Sequence, residues 1–132
     1  MTFLEALYGS QYAEINGRGG DALKGRINGN LFLSAFAIIC LFIVLSVMFK
    51  LGKLVITAPE YISGKALGKI LAVPLMAAAY FSINKTIGSE ENYNNYVMRY
   101  ADCSEMEKAS ANKKVLVPFF IALGILMVLL FI

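Results

Sequence analysis

The sequence predicts an all-α integral membrane protein with three transmembrane helices, the middle one short and kinked. An N-terminal amphipathic helix and a second, cytoplasmic amphipathic helix complete it. Three observations predict this. Apolar residues make up 58% of the 132-residue chain and charged residues 16%, against roughly 45–50% and about 25% in soluble domains. The apolar excess sits in blocks with almost no charge inside them. The polar stretches between the blocks carry helix caps and helical spacing. At this length the chain forms one membrane domain, residues 1–132.

Residues 1–16 predict the N-terminal helix. Thr2 and Glu5 have the spacing of a capping box. Phe3, Leu4, Leu7, Tyr8, Tyr12 and Ile15 then fall mostly along one face, and Asn16-Gly17 supplies a stop. The polar face carries Glu5 and Glu14 rather than basic residues, so docking on the chain's own helices or on a partner suits it as well as a lipid surface does.

Residues 17–30, "GRGGDALKGRINGN", predict a glycine-rich basic loop leading into the membrane. A phosphate-binding P-loop would need Ser or Thr after Gly-Lys and a preceding strand, and the glycine spacing is not that of a dinucleotide fingerprint. Arg18, Lys24 and Arg26 are expected at the headgroups of an anionic leaflet, at roughly 1 kcal/mol each.

Residues 31–50 predict the first span. Its centre, "LFLSAFAIICLFIVLSVMF", covers ~28 Å at ~1.5 Å per residue, close to a hydrocarbon core of ~30 Å. Ser34 and Ser46 are expected to bond back to the preceding turn. Cys40 lies inside this span and Cys103 in a polar segment, so their depths differ and a disulfide between them is not expected.

Residues 66–84 predict the middle span. Its apolar part, "ILAVPLMAAAYFSI", covers only about 21 Å, so Ala66, Leu67 and Gly68 must be added, with Lys69 reaching toward the headgroups. Gly64, Gly68 and Ala72 recur every four residues, a spacing that lets two helix backbones approach closely. Pro74 is expected to kink the helix.

Residues 89–112 predict the cytoplasmic helix. Ser89 caps it, and Glu90 and Glu91 suit its positive end. Tyr93, Tyr96, Val97, Tyr100, Ala101 and Ser104 form one stripe. That stripe either packs on the protein's own helices or the membrane interface, or forms a docking face for a partner, centred on Tyr93, Tyr96 and Tyr100. Residues 115–132, "VLVPFFIALGILMVLLFI", predict the last span, with Pro118 in a first turn that tolerates proline.

Lysine and arginine set the expected orientation. With three spans, Arg18, Lys24, Arg26, Lys85, Arg99, Lys108, Lys113 and Lys114 share one side, against Lys50, Lys53, Lys65 and Lys69 on the other. Eight against four puts the N-terminus inside. With two spans the N-terminus moves outside. In both cases residues 85–114 are cytoplasmic and the C-terminus lies on the far side. The expected location is a bacterial inner (cytoplasmic) membrane.

The chemistry expected here is sparse. The chain has no histidine, which removes His-ligated haem, His metal sites and His bases. Its two cysteines are far apart, and no Asp or Glu lies in an apolar block, where proton and cation relays usually need one. Polar groups converge at most among Asn84, Tyr80 and the cytoplasmic helix. We therefore expect no enzyme activity, no cofactor, no metal and no nucleic-acid partner. The partners expected are the lipid bilayer and either other membrane subunits or further copies of the chain. The function implied is a small non-catalytic accessory or scaffolding subunit of a larger membrane complex. The alternative is a homo-oligomeric, holin-like pore or channel.

Overall fold

The computed structural model describes residues 1–52 and 64–132, with residues 22, 23 and 64–68 described by backbone alone. The described residues form helices and turns, with no strand. The helices are α1 (Phe3–Gly17), α2 (Ala22–Lys50), α3 (Gly64–Lys85), α4 (Glu90–Ala101) and α5 (Glu105–Phe131).

The capping box at the start of α1 is present. Thr2 Oγ1 accepts from the Glu5 amide at 3.2 Å, and Glu5 Oε2 accepts from the Thr2 amide at 3.1 Å. The helix runs to Gly17, at the expected Asn16-Gly17 stop. It ends where Gly19 takes a left-handed conformation (φ 74°), and the Gly20 amide closes the turn on the Ile15 carbonyl at 2.9 Å. Glycine enters that region without a Cβ clash.

The predicted loop over residues 17–30 is a loop only as far as Asp21, because α2 begins at Ala22. Gly25 and Gly29 read locally as helix breakers, costing about 1 kcal/mol each against Ala. Inside α2 they stand one turn apart and are both buried, so packing offsets the local cost. With 29 residues, α2 runs ~43 Å at ~1.5 Å per residue. Its first two turns extend beyond the ~30 Å of a hydrocarbon core.

The helix α3 has 22 residues and continues through Pro74 to Lys85. The predicted helix over 89–112 is divided. Ser89 caps α4, its Oγ accepting from the Asn92 amide at 3.4 Å, and α4 stops at Ala101. Ser104 is not a stripe residue. It caps a new helix, accepting from the Glu107 amide at 3.3 Å, and that helix is α5. The Ser-x-x-Glu spacing of Ser104 and Glu107 is itself a helix-start signal. The last span therefore grows out of a polar stalk that begins at Glu105.

The centre of the bundle is α2, which packs against α1, α3 and α5, while α1 also packs against α4 and α5. The core gathers at one end, where α2 begins, α3 ends and α5 begins. Ala6, Leu7, Tyr8, Leu33, Tyr93, Ala111 and Val115 form its buried cluster. Below it, Phe36 meets Phe3 and Phe119 at ring-centroid distances of 6.0 and 6.2 Å, and Phe32 meets Phe119 at 4.9 Å. Residues 5–9 of α1 are buried, so this helix docks on the protein's own helices. We call α1, α4 and the helix ends they cover the head.

Outside the head the surface is apolar. Val44, Phe49, Phe120, Ile121 and Val128 are each more than half exposed. The segments Lys24–Lys50 and Glu105–Phe131 are long and apolar enough to cross a membrane. A third crossing results if Lys69–Lys85 and α4, bent by 70° to each other, count as one span.

Candidate functional site

The polar side chains of the head converge on one point. Along α2, Arg26, Asn30 and Ser34 follow at i, i+4 and i+8 and so share a face. Gly25 and Gly29 lie along the adjacent stripe. The two stripes receive different neighbours.

The polar stripe holds the end of α3. Asn30 and Ser34 are fully buried. The Tyr8 hydroxyl donates to Asn30 Oδ1 at 2.6 Å. Asn30 Nδ2 donates to Asn84 Oδ1 and to the Gly88 carbonyl, each at 3.3 Å. Arg26 Nε donates to the Gly88 carbonyl at 2.7 Å, and its Nη2 reaches Asn84 Oδ1 at 2.9 Å and the Asn84 carbonyl at 3.3 Å. The guanidinium thus sits at the C-terminal end of α3, where unpaired carbonyls concentrate negative charge. Ser34 Oγ donates back to the Asn30 carbonyl at 2.7 Å, as expected from sequence. Among the described residues, no buried side-chain nitrogen or oxygen lacks a hydrogen-bond partner.

The glycine stripe receives tyrosines. A Cβ at Gly29 would run into the Tyr8 ring, and one at Gly25 would lie 2.7 Å from the Tyr93 hydroxyl. The same holds in α1, where Tyr100 covers Gly9. Tyr8 stacks on Tyr96 (5.4 Å, 10°) and meets Tyr93 edge-on (5.8 Å, 75°). Each such pair contributes about 0.5–1.5 kcal/mol beyond its buried area. Gly88 is the tightest point, because a Cβ there would collide with Asn30 Oδ1 and crowd the Tyr8 hydroxyl.

Burial sets the protonation of this cluster. Desolvation, then the nearby Tyr96, raises the Tyr8 pKa well above its ordinary value, while Arg26 pulls slightly the other way. Tyr93 is pushed up to about 12, first by burial and then by Tyr12. Tyr100 is raised by burial and by Glu105. The Cys103 thiol is also raised, by desolvation and by its hydrogen bond to Glu107, so the less nucleophilic thiol form is favoured.

The residues singled out from sequence have these places. Tyr93 is buried, Tyr96 and Tyr100 are half-buried, and all three face α1. The stripe that offered a docking face is thus covered by the protein's own helix. Arg26, expected at lipid headgroups, instead binds the end of α3, because the segment carrying it is helical and turns it inward. Arg18 pairs with Glu14 at 2.8 Å, one helical turn away, and Lys24 is exposed. Ala72 is exposed, and the surroundings of Gly64 and Gly68 lie outside the described residues. The polar convergence anticipated at Asn84 is present, but with Arg26, Asn30 and Tyr8 rather than Tyr80. The signal that could have found it is the i, i+4, i+8 recurrence of Arg26, Asn30 and Ser34.

This site works as a latch between α1, α2 and the end of α3. Among the described residues every buried side-chain nitrogen and oxygen has a hydrogen-bond partner, and no three metal-ligating side chains come together. Helices this apolar, carrying their large side chains outward, define a membrane protein. Comparison of the chain with family models, with curated proteins and with solved structures gave no match.

Gly88→Ala is expected to lower stability by about 1–3 kcal/mol through overpacking. Asn30→Ala strands the buried Tyr8 hydroxyl and costs about 1–3 kcal/mol. Gly124→Ala, with open space around its Cβ position, should stay within about 0.5 kcal/mol of the parent. Thermal unfolding in mild detergent reads all three, and equal losses would refute the latch.

A second expectation concerns alkali. Above about pH 10 the unfolded chain ionises its tyrosines first, while Tyr8 and Tyr93 keep their protons in the folded head. Stability is therefore whole below that pH and falls as pH rises, by up to about 1.4 kcal/mol per pH unit for each tyrosine. Tyrosinate absorbance followed beside the helical signal should show these two groups ionising together with unfolding. Complete ionisation near pH 10 with the helices intact would contradict it.

Proposed function

We propose that this protein is a small, non-catalytic accessory or scaffolding subunit of a larger membrane protein complex. The observation that carries the reading is the saturated latch. Tyr8, Arg26, Asn30 and Asn84, with the tyrosines of α4, are committed to holding helices together. Along the apolar zone the surface left for a partner is apolar, and the exposed face of the head sets methionines among its charged and amide side chains. Outside the spans, Met98 on α4 is 66% exposed and Met106 in the first turn of α5 is 85% exposed. Methionine is frequent at adaptable binding surfaces. A homo-oligomeric pore draws less support, because it needs a polar stripe facing a lumen and the polar stripe of α2 is turned onto the end of α3.

We further propose three crossings, with the head in the cytoplasm and the C-terminus on the far face of a bacterial inner membrane. Tyr8, Asn30 and Gly88 meet in one cluster. If α2 carries the chain across, α3 must bring it back for Gly88 to reach Asn30. That supports α3 as a full span and α4 as a surface helix. Eight lysine and arginine residues on the head side against four opposite favour the cytoplasmic head.

Blue-native electrophoresis of gently solubilised membranes, followed by mass spectrometry, tests the function. The expected result is migration in a larger assembly with at least one stoichiometric foreign subunit. A lone monomer would overturn the proposal. Topology has its own test, in a background with Cys40 and Cys103 replaced by Ser. A membrane-impermeant maleimide should label Ala13→Cys and Glu90→Cys from one face and Ile132→Cys from the other. Labelling of positions 13 and 90 from opposite faces would exclude three spans.

A further inference from the structure

At the end away from the head the three long helices part. Both α3 and α5 pack on α2 but share no comparable contact with each other. Between them lies a groove of about 780 Å³, lined by Phe42, Leu45, Leu75, Leu126 and Leu129, with Lys50 and Ser46 along one wall. That volume falls within the roughly 300–1,000 Å³ of ligand-binding clefts.

We propose that this groove holds an acyl chain of an anionic phospholipid, drawn from the leaflet on the side where α2 ends, with its phosphate at Lys50. The inference rests on reading α2, α3 and α5 as spans, and not on the accessory-subunit role.

Three features point to a lipid rather than a fourth helix. Helices associate in hydrocarbon by close backbone approach over small residues or by polar groups bridging between them. The facing walls of this groove are large Leu and Phe side chains, which hold a second backbone away. A flexible acyl chain conforms to such walls. The polar residues are also placed as a lipid needs them. Lys50 is the last residue of α2 and is exposed at the end of the apolar run. Ser46 stands one turn beneath it on the same wall, offering a hydroxyl ~6 Å deeper along the helix, below the headgroup. Finally, the cation supplies charge complementarity to a phosphate and gives the site a preference for anionic headgroups.

The test uses the full chain in native membranes, with a photo-crosslinking amino acid at position 126. Adducts of phospholipid mass are expected. Adducts to another protein, to a second copy or within the chain itself would overturn the proposal. In parallel, the purified protein is exchanged into micelles containing equal phosphatidylglycerol and phosphatidylcholine, and retained lipid is measured by native mass spectrometry. Phosphatidylglycerol should be retained in preference. Lys50→Glu should lower its retention about tenfold, and Leu75→Trp, which fills the groove, should abolish it. Val73→Trp, on an exposed face of α3, should retain it as the parent does. Equal retention of the two lipids, or equal retention by all three variants, would overturn the proposal. An unchanged head melting transition in each variant separates loss of lipid from loss of fold. The maleimide labelling separately reports any failure of the three-span reading.

Discussion

A single buried amide governs the head. Asn30 is fully enclosed, and an enclosed amide must find partners for its oxygen and both its hydrogens or cost the fold several kcal/mol. Its oxygen takes the Tyr8 proton, and its nitrogen reaches the end of α3 at Asn84 and Gly88. The neighbouring constraints follow from this. Position 88 must lack a side chain, because the carbonyl that Asn30 and Arg26 share lies against Asn30 itself. Tyr8 must stay protonated to donate, and its burial keeps it so. Arg26 complements the same helix end with charge.

The two ends of the molecule are held by different forces because they face different solvents. In the head, water drives apolar area together, and tyrosines close onto glycines at distances that only a missing Cβ allows. Within the apolar zone that driving force is absent, since lipid tails are as apolar as leucine. There α3 and α5 each pack mainly on α2, and a groove lies between them. A tight polar clamp at one end and an open apolar groove at the other are thus two results of one change of solvent along the same helices. The proposed subunit role and the proposed lipid site draw on opposite ends of that gradient.

Position along the chain hides how this clamp is assembled. Tyr8, Arg26, Asn30, Asn84 and Gly88 come from three helices and a turn. The Gly88 carbonyl accepts from Arg26 across 62 positions and from Asn30 across 58. A chain that runs out along α2 and back along α3 brings them together. The clamp therefore ties the topology to the packing of α1, which rests on the same tyrosine. A change at Gly88 is felt at residue 8 without any change in α1 itself.

The apolar blocks, their lengths and the caps at Thr2 and Ser89 were legible in the sequence, because hydropathy and capping are local properties of neighbouring residues. The start of α2 at Ala22, the break at Ser104 and the latch were not. Glycines at 25 and 29 read as a loop until rings from residues 8 and 93 are laid against them. Ser104 reads as one more stripe residue until the chain turns there. The tyrosine stripe announced a contact face, but only the tertiary structure decided that α1 occupies it. Local chemistry sets which segments are helical and which are oily. Whether a glycine breaks a helix or seats a ring depends on a residue far away in the chain, and that is settled only when the helices meet.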